Sequence, residues 1–268
     1  MFLHRPEGGA SRPVFDTDAL SRMHVSKGLL GEVKEVDEYP TQRLCFLPRE
    51  GGPLALWAQP TPGRGYIVGA YHPVIEASGW AVACILDQRT GDQVAQLREP
   101  MPALKFAERL ALTARFYNWA FLLPQTDDSA FARTLLGTPY PMERIYTGSG
   151  SPGAPLLEIP ASFGVGVEIT AATSPRLISE LADSLHGNRN PITLRSRIAR
   201  DECLNFTAQP NGKPGVKSGS EACVWAVALA SFGLAVAPRQ KSYARQMKNL
   251  STSGEPARRR RPNPDYND

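Results

Sequence analysis

The chain has little of what would assign a function at once. It has four cysteines in 268 residues, Cys45, Cys84, Cys203 and Cys223, and no two form a Cys-x-x-Cys pair. Cys84 and Cys223 lie inside apolar runs, so buried free thiols in a reducing compartment are expected. No G-x-x-x-x-G-K-[ST] occurs, which excludes a P-loop within this sequence. Gly63-x-Gly65-x-x-x-Gly69 has the wrong spacing for a dinucleotide fingerprint and precedes a strand instead of following one. The longest apolar run, Ala222 to Ala230, is far below the roughly 20 residues needed to cross a bilayer, so no membrane contact is expected. No apolar h-region follows Met1-Phe2-Leu3-His4-Arg5, so no secretory signal is expected. His4, His24 and His186 lack ligand-spaced partners and read as surface or capping residues.

Hydrophobic residues make up 42% of the chain, enough for a substantial core, and charged residues 21%. The formal charge of +4 is small and sits largely near the C-terminus, which weakly favours an anionic partner. Three stretches are expected: a loosely packed lead-in over 1–60, a folded domain over 61–237, and a basic disordered tail over 238–268. The tail carries Lys241, Arg245, Lys248 and the run Arg258-Arg259-Arg260-Arg261.

The fold is organised around Tyr66 to Leu97. Tyr66–Tyr71 and Trp80–Leu86 are β-prone runs, Asp87–Asp92 is rich in turn residues, and Gln93–Leu97 alternates like a half-buried strand. Together they predict a three-stranded antiparallel meander. Ahead of it, Asp16 caps a short helix from Thr17 to about His24, and Leu54–Trp57 reads as a strand. After it, a helix runs from Pro102 to about Asn118 and a short strand covers Phe121–Leu123, ended by Pro124. Asp128 or Ser129 caps a helix through Leu136. Met142–Tyr146 and Ile192–Leu194 read as strands. Gly148–Pro160 and Thr207–Gly219 read as loops. Helices begin at Ser174-Pro175 and after Ser196, and Glu221 opens one that is apolar nearly all round, reaching about Val236.

This order predicts an α/β protein with a mixed sheet, the meander extended by parallel strands and flanked by helices. It resembles the ribonuclease-H-like fold, and in detail the C-terminal nuclease domain of phage large terminase subunits. The resemblance rests on Pro13-Val14-Phe15-Asp16, on Tyr66-Ile67-Val68-Gly69, on Leu86-Asp87-Gln88-Arg89-Thr90-Gly91 and on Phe116-Tyr117-Asn118. It continues through Thr173 to Ile178, Asn211-Gly212-Lys213-Pro214 and Val224 to Ala230, and covers about Arg12 to Leu234. The family's ATPase half has no counterpart, so a lone nuclease-like half is expected.

Such nucleases hold two divalent metals with carboxylates, one activating water and one stabilising the leaving oxygen. The resemblance puts the family's acidic positions on Tyr71, on Gln125 and on Glu221-Ala222, and a further common Asp on Gly79. Only Glu221 keeps an acid. A phenol with a reference pKa of about 10 is a poor magnesium ligand at neutral pH. Two readings stay open. Glu221 serves its helix dipole and the site is impaired, or a rebuilt set of Glu76, Asp127 and Glu221 holds Mg²⁺ or Mn²⁺. Asp127 and Asp128 equally suit helix capping.

Three functions follow. The resemblance implies a packaging component that binds double-stranded DNA or the portal protein and cuts poorly, with an ATPase subunit acting in trans, in the host cytoplasm. A metal-dependent endonuclease with a rearranged acidic site is the second. A non-enzymatic virion or regulatory protein, needing no metal, is the third. Arg258–Arg261, with Arg197 and Arg200, are the candidate phosphate contacts.

Overall fold

Seven strands form the central sheet of the computed structural model, in the order β2 (Thr41–Pro48), β1 (Leu29–Glu38), β3 (Leu54–Leu56), β6 (Gln93–Glu99), β5 (Ala81–Asp87), β4 (Tyr66–Tyr71) and β7 (Phe121–Pro124). It describes residues 12–38, 41–73, 79–127, 129–147, 164–208, 214–216 and 219–238. The predicted meander is β4 (Tyr66–Tyr71), β5 (Ala81–Asp87) and β6 (Gln93–Glu99), paired antiparallel throughout. β7 (Phe121–Pro124) lies parallel to β4, with Ala70 opposite Pro124. Gly91, at φ 71°, closes the turn between β5 and β6. The Asp87 carboxylate caps that turn by accepting from the amides of Arg89 and Thr90.

Helices cover both faces of the sheet. α2 (Ala103–Phe116) and α3 (Ser129–Gly137) pack with Val68, Ala70, Ala83 and Ile85 on one face. On the other, α6 (Ala222–Val236) lies over β4, β5 and β7, with α4 (Ser174–His186) and α5 (Arg197–Leu204) beside it. Burial on both faces explains why β4 and β5 read as unbroken apolar runs. It also explains why α6, buried along nearly its whole length, shows no polar stripe. Small residues let α6 approach closely. A Cβ at Gly69 would fall on the carbonyl oxygen of Ala226 and the amide nitrogen of Ala230, and 2.9 Å from Ala230 Cα.

Several expectations need correction. Residues 29–56 are not a loose lead-in. β1 (Leu29–Glu38), β2 (Thr41–Pro48) and β3 (Leu54–Leu56) extend the same sheet, β3 pairing with β6. β1 escapes the sequence pattern because Glu32, Lys34, Glu35 and Asp37 put charges on both its faces, and β2, with Arg43 as its one charge, because its apolar residues 44–47 are consecutive and do not alternate. Val33, Leu44 and Phe46 face α2, and Glu35 reaches its Arg115 at 2.7 Å. Met142–Tyr146 is a turn of 3-10 helix (Met142–Arg144) followed by one bridge from Ile145 to Leu122. Ile192–Leu194 likewise holds a single bridge, Thr193 to Asp92, because only that residue reaches the sheet. The expected loop 207–219 begins within a two-stranded hairpin, β8 (Phe206–Ala208) and β9 (Pro214–Val216). Pro102 stands at an N-cap instead of the first helical position, and Thr173 instead of Ser174 precedes α4. The Asp16 cap of α1 (Thr17–Arg22) and the Ser196 cap of α5 form as expected.

Candidate functional site

The C-terminal ends of β4 and β7 meet the N-terminus of α6 at one end of the sheet. Each strand ends where its apolar run gives way to a polar residue, Tyr71 and Gln125 respectively. The parallel pairing holds them side by side, and the Gln125 amide donates to the Ala70 carbonyl at 2.7 Å. Glu221 occupies the N-cap position of α6 without capping it by a side-chain hydrogen bond.

Gln125 is only 3% exposed, and its side-chain amide has partners at both ends. Its Oε1 accepts from the His72 amide at 3.2 Å, and its Nε2 donates to Asp127 Oδ2 at 2.8 Å. The other carboxylate oxygen of Asp127 accepts from the Ile169 amide at 2.9 Å. Asp127 therefore ties the end of β7 to a segment 42 residues on. Val167 bridges Gln125 in the same place, and its amide donates to the Pro124 carbonyl at 2.9 Å. Burial raises the Asp127 pKa above the ordinary value, with help from Glu168, against the lowering effect of its two hydrogen bonds.

Tyr71 is half-buried against the apolar cluster under α6. Burial, then the charges of Glu221 and Asp127, push its phenol up to about 12. These couplings show that Tyr71 stands close to both acids, and that it is a neutral hydrogen-bond donor at physiological pH. Gly79 leaves no room for the further acid common in the resembled family, because a Cβ there would overlap the Pro73 ring.

One carboxylate at this end carried no mark in the sequence. Glu202, on α5, reaches across to the first turn of α6, where its Oε2 accepts from the Cys223 amide at 2.8 Å. It supplies the cap that Glu221 does not. Burial raises its pKa, while the Cys223 and Val224 amides and the Arg98 charge favour ionisation. Arg98, at the same end of β6, lies 3.6 Å over the Trp80 ring. Only the α5–α6 crossing, which no local pattern reveals, brings Glu202 here.

The structure thus gathers Tyr71, Gln125, Asp127 and Glu221. Glu76, Asp128 and Arg258–Arg261 lie outside the described residues. Arg197 and Arg200 lie on α5 and share Asp201, at 3.4 Å and 2.8 Å. Among the described residues, no group of three or more His, Cys, Asp or Glu could hold a metal ion. The described donors do not fit a pair of divalent cations. Tyr71 and Gln125 are neutral, and Asp127 has both oxygens hydrogen-bonded to protein.

The fold is that of ribonuclease-H-like terminase nucleases. The large terminase nuclease from thermophilic phage G20c, crystallised with magnesium, is similar at a TM-score of 0.54 and 16% identity, over 84% of this chain and 98% of that one. Its cobalt-bound form gives 0.54 and 17%, over 84% and 98%. The large terminase nuclease domain of Thermus phage P74-26 gives 0.51 and 18%, over 81% and 94%. At these identities the likeness establishes the fold. No protein-family model and no curated protein sequence matches the chain. Among the described residues, no helix is long and apolar enough to cross a membrane.

Proposed function

We propose that the protein is a terminase nuclease-like domain that serves phage DNA packaging by binding DNA, and cuts DNA weakly or not at all. One observation carries this reading: Glu221 is the one acid at the resembled family's positions, and the neighbouring Asp127 has both its oxygens engaged in holding the strand ends together. A two-metal displacement needs anionic oxygens to bind and bridge the cations. The resemblance puts a phenol, Tyr71, where the family has its first acid; a phenol is neutral at physiological pH, and burial raises its pKa further. The fold shared with phage nucleases supports the family reading. Arg258–Arg261, Arg197 and Arg200 are the proposed phosphate contacts, with a portal protein and an ATPase subunit in trans as further partners. Because β1 to β3 belong to the same sheet, the proposed folded domain includes residues 29–56 and runs to 237, with a basic tail over 238–268, and the proposed location is the host cytoplasm.

A plasmid-nicking assay with Mn²⁺ tests this. The natural protein should leave supercoiled plasmid intact, and the combined Tyr71→Asp, Gln125→Glu and Ala222→Asp variant should gain measurable nicking. Robust cutting by the natural protein, abolished by Asp127→Ala, would instead establish a rebuilt site of Glu76, Asp127 and Glu221. Removing 238–268 should weaken duplex binding and flatten its salt dependence.

A further inference from the structure

At the opposite end of the sheet from Tyr71 and Gln125 lies a cavity of about 270 Å³. It opens beside the start of β4, the end of β5 and the start of β6, and Trp57, Arg64, Asp87, Asp92, Gln93 and Arg195 are among its walls. Its size is close to the lower end of the roughly 300–1,000 Å³ common for small-molecule sites. We propose that this cavity binds a small phosphate monoester of mononucleotide size.

The chemistry follows from which polar groups already have partners. Asp87 is buried, and both its oxygens are engaged: Oδ2 by Arg64 Nη1 at 2.6 Å, and Oδ1 by the amides of Arg89 and Thr90 at 2.9 Å and 3.2 Å. Gln93 is equally buried. Its Oε1 accepts from the amides of Arg195 and Ser196, both at 2.9 Å, and its Nε2 donates to Gln96 at 3.3 Å. The buried acceptors are thus occupied, while donors remain. Arg64 uses one of its terminal nitrogens on Asp87. The Arg195 guanidinium stands 3.7 Å from Asp92, beyond hydrogen-bonding distance, at a rim where both side chains are more than a third exposed. An incoming phosphate fits a planar guanidinium fork better than that loose pair does. Asp92 then turns to solvent.

The walls are held in place before any ligand arrives. The Trp57 indole N–H donates to the Ser26 carbonyl at 3.0 Å, fixing a flat apolar wall beside Ala58 and Val94. The 58–64 segment is pinned by Tyr117 Oη on the Ala58 carbonyl at 2.8 Å and by Asn118 Nδ2 on the Thr61 carbonyl at 2.7 Å. The turn carrying Asp87 to Asp92 is seated against Pro191, whose carbonyl a Cβ on Gly91 would strike. A preformed site lined by two guanidinium groups and an indole suits a phosphate joined to a planar group.

Calorimetric titration of the full chain tests the proposal, with adenosine 5′-monophosphate, adenosine and inorganic phosphate as probes. The monophosphate should bind saturably, with Kd below about 1 mM. Adenosine and phosphate alone should each bind at least about tenfold more weakly. Arg195→Gln should weaken the monophosphate by about tenfold or more without altering the melting temperature, since the side chain is at the rim, and Arg195→Lys should fall between. Arg189→Gln, elsewhere on the surface, should change nothing. The proposal is overturned if the monophosphate fails to saturate by about 10 mM, if adenosine or phosphate alone binds as well, or if Arg195→Gln binds like the natural protein.

Discussion

Replacing Gly69 with alanine should strain the packing that places Glu221 beside Tyr71. Carbon–carbon contacts settle at about 3.5–4.0 Å. The new methyl would stand 2.9 Å from Ala230 Cα, and nearer still to the Ala226 carbonyl and the Ala230 amide. All three are backbone atoms of α6, so no side chain can rotate away. α6 must rise by roughly 1 Å, which loosens its close-packed contact with β4 and β7. Overpacking costs about 1–3 kcal/mol, and a backbone obstruction belongs at the upper end. In a unit of this size each kcal/mol shifts the melting temperature by about 2–4 °C, so a fall of about 6–12 °C is expected. Circular-dichroism melts of Gly69→Ala check it. Gly137→Ala, with open space around its Cβ, serves as the control. If Gly69→Ala melts within about 1 °C of the natural protein, the tight α6–β4 approach described above is wrong.

Two further outcomes concern the strand-end groups. Asp127→Ala leaves Gln125 Nε2 and the Ile169 amide without their acceptor; because the Asp127 side of both bonds is open to water, the cost should be about 0.5–1.5 kcal/mol in urea unfolding, equally with and without EDTA. Because the folded chain holds the Asp127 proton more tightly than the unfolded chain does, acidification adds stability through the window from its raised value down to 3.8, so the gap between natural and variant proteins should widen as the pH falls. A gap that appears only when metal is present would make Asp127 a ligand. Tyr71 should ionise near 12 in the ultraviolet difference titration against Tyr71→Phe. Since the unfolded phenol ionises first, near 10, this group's contribution to stability should fall as the pH rises between 10 and about 12.

The strand ends were legible because apolar runs stop abruptly there. Tyr71 follows a β-prone run and Pro124 limits the next one, but only the resemblance to the terminase nucleases marks Tyr71 and Gln125 as site positions. What Asp127 does was not legible. Its spacing from Gln125 fits a ligand or a cap equally well, and its actual partner, the Ile169 amide, depends on a bridge between Gln125 and Val167 that no local pattern announces. Glu202 was hidden for the same reason, reading as one more charge on an exposed helix until α5 crosses α6. β1 loses the alternation that marks a strand because it carries charges on both faces, and β2 because its short apolar run 44–47 is continuous. Burial on two sides had the opposite effect in α6, where an apolar stretch too short for a membrane could only be a core helix.

Direct titration with Mn²⁺ is the simplest test of the proposal that this strand end does not hold a pair of divalent cations. Isothermal calorimetry and electron paramagnetic resonance on the natural full chain should find no saturable site tighter than about 1 mM, whereas the Tyr71→Asp, Gln125→Glu and Ala222→Asp variant should bind more tightly. Two Mn²⁺ per chain at micromolar affinity in the natural protein, lost on Glu221→Gln, would contradict the account.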